Sequence, residues 1–277
     1  MSDIPIRPAA TIVLLRDTAQ GVEVFMVRRT FSIAFMAGAH VFPGGRVDAS
    51  DGDAGADWCD LPDAAAASRG PDLSFRAAAA RELFEEAGIL LARTPGGAFV
   101  TYDRAGAARV DADRDAVHEG TRTLREVVER DGLRLALNAI VPFAHWITPP
   151  IEVRRFDTWF FAARAPEGQE PAHDAHESIE SGWFAPRAAI EACRRGRINL
   201  PPPTWATLRQ LEPFASVSAA LAWASRVAIT DRQPVVLHVN GAREIRLPSV
   251  HAHDGETGGA FETRFVWVDG RWLPGEP

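Results

Sequence analysis

Lysine is absent from this 277-residue chain, in which all 30 basic residues are arginine. That absence excludes any mechanism that needs a catalytic lysine. Cysteine is scarce as well, since Cys59 and Cys193 are too few for a disulfide framework or a cysteine-rich zinc site. No apolar run approaches the roughly 20 residues that a membrane-spanning helix needs. We therefore expect a reducing environment and no membrane partner.

Positive charge is also in deficit, because 37 acidic residues face 30 basic ones and the formal net charge is -7. This balance argues against sequence-independent nucleic-acid binding, which depends on cationic contacts with phosphates. A small anionic ligand remains compatible, since a bound divalent cation reverses the local field. Charges interrupt residues 1–20, leaving no secretory signal, and Gly275-Glu276-Pro277 is no peroxisomal address. The expected location is the cytoplasm.

Hydrophobic residues make up 46% of the chain, which is sufficient for a large core. Strand patterns alternate with helix patterns, and this predicts a layered fold of the α/β (α+β) class. The predicted strands cover 11–15, 23–27, 139–147, 156–163, 181–184, 235–239, 244–247 and 263–268; the predicted helices cover 74–87, 116–129, 188–195, 204–211 and 217–228.

Composition also suggests how the chain is divided. Residues 48–72 are acidic and rich in Ala, Gly, Asp and Pro, which predicts a surface insertion with little core of its own. Residues 94–113 are expected to form a loop. Three consecutive prolines follow position 200, so we expect a main domain over 1–200 and a C-terminal extension of helices and strands over 201–277, packed on that domain.

One predicted helix carries an unusual acidic pattern. Ser74 is its expected N-cap and Gly88 its expected C-terminal stop. Glu82, Glu85 and Glu86 stand at i, i+3 and i+4, so their carboxylates share one helical face. Carboxylates this close repel each other unless a cation lies among them, and oxygen-only ligands suit Mg²⁺ or Mn²⁺ better than zinc.

Each half of this pattern has an ordinary explanation, since acidic helix faces are usually solvated and Phe42-Pro43-Gly44-Gly45 alone is a common turn. Together they resemble the Nudix box: Gly, five residues, Glu, seven residues, then Arg-Glu-aliphatic-x-Glu-Glu-x-Gly-aliphatic. Every specified position from Arg81 to Ile89 agrees. The resemblance implies a Nudix-type α/β/α sandwich around a mixed β-sheet and the hydrolysis of a phosphoanhydride bond.

The chain departs from this pattern between the two halves. Asp51 stands where the box has Glu, and residues 52–80 provide 29 positions where the box has seven. About 22 residues are therefore inserted, and we place the insertion at about 52–73. Because the equivalence of Asp51 is doubtful, we leave it out of the predicted metal ligands.

A finer resemblance points to one branch of the family. Arg28-Arg29-Thr30 and the run from Gly38 to Gly45 are similar to the Nudix coenzyme A diphosphatases, although Ala34 replaces a second arginine. Three further features resemble the peroxisomal coenzyme A diphosphatases and their bacterial relatives: the insertion, Trp146-Ile147-Thr148-Pro149 and Arg155-Phe156-Asp157-Thr158. The resemblance covers roughly residues 8–190.

The resemblance assigns expected roles to individual residues. Many Nudix proteins place a loop glutamate six residues before a strand tryptophan, as Glu177 precedes Trp183 here; an ordinary loop charge is the alternative. The general base is Glu177 or Glu82, and a core position is the alternative for His40. The expected metal ligands for Mg²⁺ or Mn²⁺ are Glu82, Glu85, Glu86 and the Gly45 carbonyl; the expected catalytic residues are Arg81, Glu85 and Glu177; the expected substrate-binding residues are Arg29, His40, Gly44 and Arg155.

Three functions remain open at this point. The first is a coenzyme A or acyl-coenzyme A diphosphatase that yields 3′,5′-ADP and a 4′-phosphopantetheine product. The second keeps the chemistry but acts on ADP-ribose, a dinucleotide or a nucleotide sugar. The third is a Nudix module that binds a nucleotide metabolite without cleaving it. The expected partner is a small-molecule diphosphate, and a homodimer is possible.

Overall fold

The computed structural model describes residues 4–31, 36–102, 104–174, 176–247, 264–268 and 271–275. Ala34 lies outside these ranges, as does Thr263 at the start of a predicted strand. The strands are β1 Ile6–Thr18, β2 Gly21–Arg29, β3 His40–Val41, β4 Gly44–Arg46, β5 Ala92–Arg93, β6 Arg134–Leu135, β7 Val141–Ile147, β8 Arg155–Arg164, β9 Ser178–Phe184, β10 Asp231–Arg232, β11 Val235–Val239, β12 Ala242–Arg246, β13 Arg264–Val268 and β14 Arg271–Pro274. The helices are α1 Ala64–Ala67, α2 Leu73–Ala87, α3 Arg104–His118, α4 Leu124–Arg130, α5 Pro186–Arg194, α6 Pro202–Leu211 and α7 Val217–Ala224, with 3-10 turns at Ala49–Asp53 and Leu137–Ala139.

The main sheet joins eight of these strands in the order β10-β7-β8-β1-β2-β3, with β4 paired to β1 and β9 paired to β2. Strand β1 is parallel to β8 and antiparallel to β2 and β4, so the sheet is mixed. Strands β11 to β14 form a second, antiparallel sheet.

Both faces of the main sheet are buried, because β1 is apolar on both sides. Ile12 and Leu14 point into a core that includes α2, whereas Val13 and Leu15 point into a core that includes α5, α6 and α7. Side chains alternate between faces along a strand, so one continuous apolar run serves both cores. The sheet therefore lies between two helical layers, and the predicted α/β (α+β) class is correct.

Helix α2 begins and ends at identifiable caps. The N-cap is Asp72 and not the predicted Ser74: the Asp72 carboxylate accepts the backbone N–H of Ser74 at 2.9 Å. Gly88 ends the helix with a φ of 69°, as predicted, in the left-handed region that favours glycine. Ala78 and Ala79 are buried in the core below the helix, and such small side chains let α2 lie close to β1 and β4.

The loop predicted over 94–113 is wrong in its second half, which α3 occupies. The single helix predicted over 116–129 is also wrong, because Gly120 turns the chain with a φ of 69° and α4 begins afterwards. Val110 and Val117 of α3 are buried beside α2 among largely polar neighbours. So sparse an apolar face gives little helical periodicity, which explains the missed helix.

The inserted segment contacts the main core through two neighbouring side chains. Trp58 and Cys59 are buried in the core that includes α2. The Trp58 indole Nε1 donates to the Asp53 carbonyl at 2.9 Å, and Cys59 forms a β-bridge with Leu135. Of residues 48–72, Asp51, Trp58 and Cys59 are buried and the others are at least partly exposed. The segment therefore lies mostly at the surface and is anchored to the core by Trp58 and Cys59.

Residues beyond 200 contribute to the main sheet as well as to the second one. Helices α6 and α7 pack in the core shared with α5, and β10 pairs with β7 in parallel. A domain boundary at residue 200 stays a prediction. Among the described residues, no helix combines the length and apolar character that crossing a bilayer requires.

Candidate active site

The candidate site lies where α2 meets the glycine bend at the start of β4. Antiparallel pairing with β1 holds the bend in place. The backbone N–H of Gly44 donates to Glu86 Oε2 at 3.1 Å. The Glu82 carboxylate lies against Gly45 so closely that a Cβ there would come 2.6 Å from Glu82 Cδ. The two halves of the sequence pattern are thus in contact, despite the insertion between them.

Arg81 is buried among three carboxylates. Its Nε and Nη2 donate to Asp51 at 3.0 and 3.1 Å, and its Nη1 donates to Glu82 at 3.0 Å and to Glu85 at 2.8 Å. Burial alone would lower the pKa of Arg81, but Glu82, Asp51 and Glu85 outweigh burial and raise it above its ordinary value. A permanent positive charge therefore fixes the positions of all three carboxylates.

Arg81 does not fully offset the cost of ionising Glu82 and Glu86 in this buried position. Burial, followed by repulsion from Glu85 and Glu177, raises the pKa of Glu82 to about 8, although Arg81 opposes the shift. Burial and repulsion from Glu82 raise the pKa of Glu86 well above its ordinary value. Two buried carboxyls with raised pKa values beside one glycine bend are what a cation-binding site needs.

The side chains at the bend do not yet form a complete set of metal ligands. Among the described residues, no three His, Cys, Asp or Glu side chains already form a group that could hold a metal. Glu82 and Glu85 instead point to Arg81. The donors still fit Mg²⁺ or Mn²⁺, because they are hard oxygens and because Gly45 leaves no Cβ in the way. A cation would also provide the positive charge that ionisation of the buried Glu82 and Glu86 requires.

Glu177 and Arg29 lie next to these glutamates. Arg29 Nη2 is 3.4 Å from Glu177 Oε2, and both side chains shift the pKa of Glu86, Arg29 downward and Glu177 upward. The Glu177 backbone is held at both ends, since its N–H donates to Asp174 at 3.2 Å and its carbonyl accepts from Thr30 at 2.8 Å. The structure therefore brings the predicted loop glutamate to the predicted metal carboxylates.

Two predicted substrate-binding residues lie elsewhere. His40 is buried against Phe184, with ring centroids 5.8 Å apart, on the side of the sheet that faces α5. Burial lowers the pKa of His40, which favours a neutral core histidine. Arg155 begins β8, four residues before Trp159. Trp159 and Gly45 both pair with Ala10 of β1, so they lie at the same level of the sheet. That offset is about 13 Å along the strand, so Arg155 is not at the bend either.

Three contributors were not predicted. Asp51, left out of the metal ligands, is the bidentate partner of Arg81. Arg114 of α3 donates to the Glu85 carbonyl at 2.7 Å and to the Ala172 carbonyl at 2.8 Å, linking α2 to the segment before Glu177. His118 Nδ1 lies 3.7 Å from Glu85 Oε2. Only Asp51 had a sequence signal, namely its position in the Nudix box.

The two glycines of the bend should respond differently to alanine. A Cβ at Gly45 meets the carboxylate at the end of the Glu82 side chain, whereas a Cβ at Gly44 comes within 2.5 Å of the Ala10 carbonyl and 2.8 Å of Thr11 Cα. We expect Gly45→Ala to fold but to lose tenfold or more in metal affinity, because Glu82 is displaced. Gly44→Ala should lower the free energy of unfolding, by roughly 1–3 kcal/mol, because backbone must move. Calorimetric metal titration and denaturant unfolding measure the two effects; a Gly45→Ala protein with unchanged metal affinity contradicts the placement of Glu82.

The raised pKa values predict how pH affects the metal-free protein. The pKa of Glu82 is 4.5 ordinarily and about 8 in the fold, so the folded state binds a proton that the unfolded state releases. Stability from this carboxyl is present below pH 4.5 and is lost as pH rises through 8. We expect the free energy of unfolding to fall by at least about 1 kcal/mol over this window, and Mg²⁺ or Mn²⁺ to reverse the loss. Denaturant titrations at several pH values test this; Glu82→Gln should flatten the profile, and an unchanged slope in that variant contradicts it.

The mixed sheet between helical layers, with glutamates of one helix gathered at a glycine bend, defines the class of Nudix folds. The family described as NUDT19 Nudix domain matches residues 65–211, more than half of the chain, and the family described as NUDIX domain matches residues 5–119. The chain belongs to the Nudix family. The resemblance seen in the sequence is thereby confirmed for the family and for the branch that contains the NUDT19 domain.

Individual relatives agree with this assignment. Acyl-coenzyme A diphosphatase NUDT19 of Homo sapiens is 30% identical over 244 residues, which cover 72% of this chain and 63% of that protein. Putative nudix hydrolase 7 of Caenorhabditis elegans is 30% identical over 199 residues, covering 71% and 57%. The chain thus spans less than two thirds of these relatives. The crystal structure of a NUDIX hydrolase from Alicyclobacillus acidocaldarius superimposes with a TM-score of 0.70 at 27% identity, covering 82% of this chain and 98% of that one.

Proposed function

We propose that the protein is a Mg²⁺- or Mn²⁺-dependent hydrolase of a phosphoanhydride bond in a nucleoside diphosphate linked to another group. One observation carries the proposal: Glu82 and Glu86, with raised pKa values, lie against Gly44 and Gly45 within electrostatic reach of Glu177. A solvated acidic helix face would show neither this burial nor these pKa values, so it does not explain the arrangement.

Glu82, Glu86 and the Gly45 carbonyl would hold the cation, with Glu85 in reach of the same face. When bound, a divalent cation neutralises charge on the diphosphate and acidifies a coordinated water. Glu85 also accepts from Arg81, so its share in ligation depends on that contact.

The surrounding side chains complete the chemistry. Glu177, half-exposed beside buried carboxylates, is suited to accept a proton from the attacking water. Arg29 lies next to it and would bind a phosphate oxygen, as would the N–H of Gly44 once Glu86 turns to the cation. Arg81 is a positioning residue, because its contacts are to carboxylates and to a backbone carbonyl.

Coenzyme A or acyl-coenzyme A is the proposed substrate. Two observations support this choice. The sequence motif from Gly38 to Gly45 is similar to that of the Nudix coenzyme A diphosphatases, and the NUDT19 relatives of human and chicken are named acyl-coenzyme A diphosphatases. ADP-ribose, a dinucleotide or a nucleotide sugar would use the same carboxylates, and a binding module would not need them. Cytoplasmic location and a homodimer stay predictions.

A substrate panel tests the proposal. Coenzyme A, an acyl-coenzyme A, ADP-ribose, a dinucleotide and a nucleotide sugar are each incubated with Mg²⁺ or Mn²⁺, and products are separated by chromatography. We expect kcat/KM to be at least about tenfold higher for coenzyme A or its thioester, with release of 3′,5′-ADP. Faster cleavage of ADP-ribose selects the second function. Saturable binding without turnover of any compound selects the binding module.

A further inference from the structure

Arg232 is a buried cation without a counter-charge in the described part of the chain. It lies on β10 opposite Trp146 of β7 and is 4% exposed. Its Nη1 donates to Gln210 Oε1 of α6 at 3.4 Å, and its guanidinium is 5.4 Å from the centroid of the Trp146 ring. Burial lowers the pKa of Arg232 to about 10, and no acidic group within the described ranges offsets that cost.

Unpaired donors occur on the two residues that contact Arg232 and on Thr207, one helical turn from Gln210. Gln210 Nε2, Thr207 Oγ1 and Trp146 Nε1 are fully enclosed and lack a hydrogen-bond partner among the described residues. Thr207 and Gln210 are three positions apart on α6, so they lie on the same side of that helix. Each of these groups can donate a hydrogen bond, and Trp146 can do nothing else.

Buried polar groups in proteins are normally hydrogen-bonded, and buried charges are normally paired. A trapped water would satisfy some of these donors but would leave the charge of Arg232 uncompensated. An anion would accept from the donors and neutralise the charge together. We propose that Arg232, Gln210, Thr207 and Trp146 form a binding site for a small inorganic anion of about the size of chloride.

The anion is expected to be compact, because all four residues are at most 4% exposed. The site is separate from the candidate active site. Trp146 and α6 belong to the core on the α5–α7 side of the sheet, whereas Glu82 and Glu86 lie on the α2 side. A bound anion would join β10 and α6 to β7 and so stabilise the region beyond residue 200.

Thermal unfolding at constant ionic strength tests this site without reference to enzymatic activity. Replacing gluconate, which is too large for the site, by chloride should raise the Tm of the wild-type protein by about 3 °C or more at saturation. Arg232→Met should abolish that dependence, whereas Arg226→Met, which alters an exposed arginine near the end of α7, should retain it. Equal chloride responses in the wild type and in Arg232→Met overturn the proposal.

Bromide locates the anion directly and covers the case in which Arg232→Met does not fold. Crystals of the full chain are soaked in bromide, and anomalous diffraction is measured. A peak beside the guanidinium of Arg232 is the expected result, within hydrogen-bond distance of about 3.5 Å. Its absence, with only exposed arginines occupied, overturns the proposal even if chloride stabilises the protein generally.

Discussion

Glu86→Gln is expected to lower kcat/KM for diphosphate hydrolysis by about a hundredfold or more while the protein stays folded. Glu86 Oε2 accepts the N–H of Gly44, and the amide oxygen of glutamine retains this bond. The variant loses the negative charge that a cation requires. It also relieves repulsion from Glu82, so the metal-free protein should be at least as stable as the wild type.

Steady-state kinetics at saturating Mg²⁺ and a calorimetric metal titration measure the two losses separately. Glu129→Gln is the matched control, because Glu129 is an exposed helical glutamate that pairs with Arg125 on α4. That variant should keep wild-type kinetics. Near-normal turnover by Glu86→Gln would place the metal away from the glycine bend and would remove the basis of the proposed mechanism.

The sequence was most informative where the chemistry is local along one helix. Helical winding by itself places Glu82, Glu85 and Glu86 on one face, and Gly88 ends the helix with a positive φ. Both features depend only on residues within about four positions of each other in the sequence. The contact of this face with Gly44 and Gly45 is long-range, and it was inferred from the family resemblance rather than from periodicity.

Strand register explains why His40 lies on the other face of the sheet from the candidate metal ligands. Arg28 and Arg29 are neighbours in β2 and therefore point to opposite faces of the sheet. His40 pairs with Arg28, so it shares that residue's face and not the face of Arg29 and Glu86. The sequence shows that His40 is close to the bend along the chain, but a shift of one residue in register decides which core it enters.

Contacts across the insertion could not be predicted from spacing. Asp51 and Arg81 are thirty positions apart, and no periodic pattern connects them. Arg114 is equally remote from Glu85, and it lies on a helix whose polar sequence resembled a loop. Only the fold shows that these arginines connect three separate segments at the candidate site.

Arg81→Ala should therefore have the largest effect on stability among single changes at the site. It removes the common partner of Asp51, Glu82 and Glu85 and leaves three carboxylates close together in a buried region. Removing one partner of a buried ion pair costs about 3–5 kcal/mol. We expect a loss of this size in denaturant unfolding, together with a loss of turnover greater than tenfold, because Glu82 and Glu85 are no longer held.

Arg76→Ala is the matched control on the same helix. Arg76 is as deeply buried as Arg81, but its guanidinium donates to the Ala66 carbonyl and contacts no carboxylate of the described residues. Its replacement should change stability less and leave turnover unaltered. Adding Asp51→Asn to Arg81→Ala should recover part of the lost stability, since one uncompensated charge disappears. If Arg76→Ala and Arg81→Ala cost the same, then loss of packing, and not release of the carboxylates, determines the effect, and Arg81 does not position the candidate metal ligands.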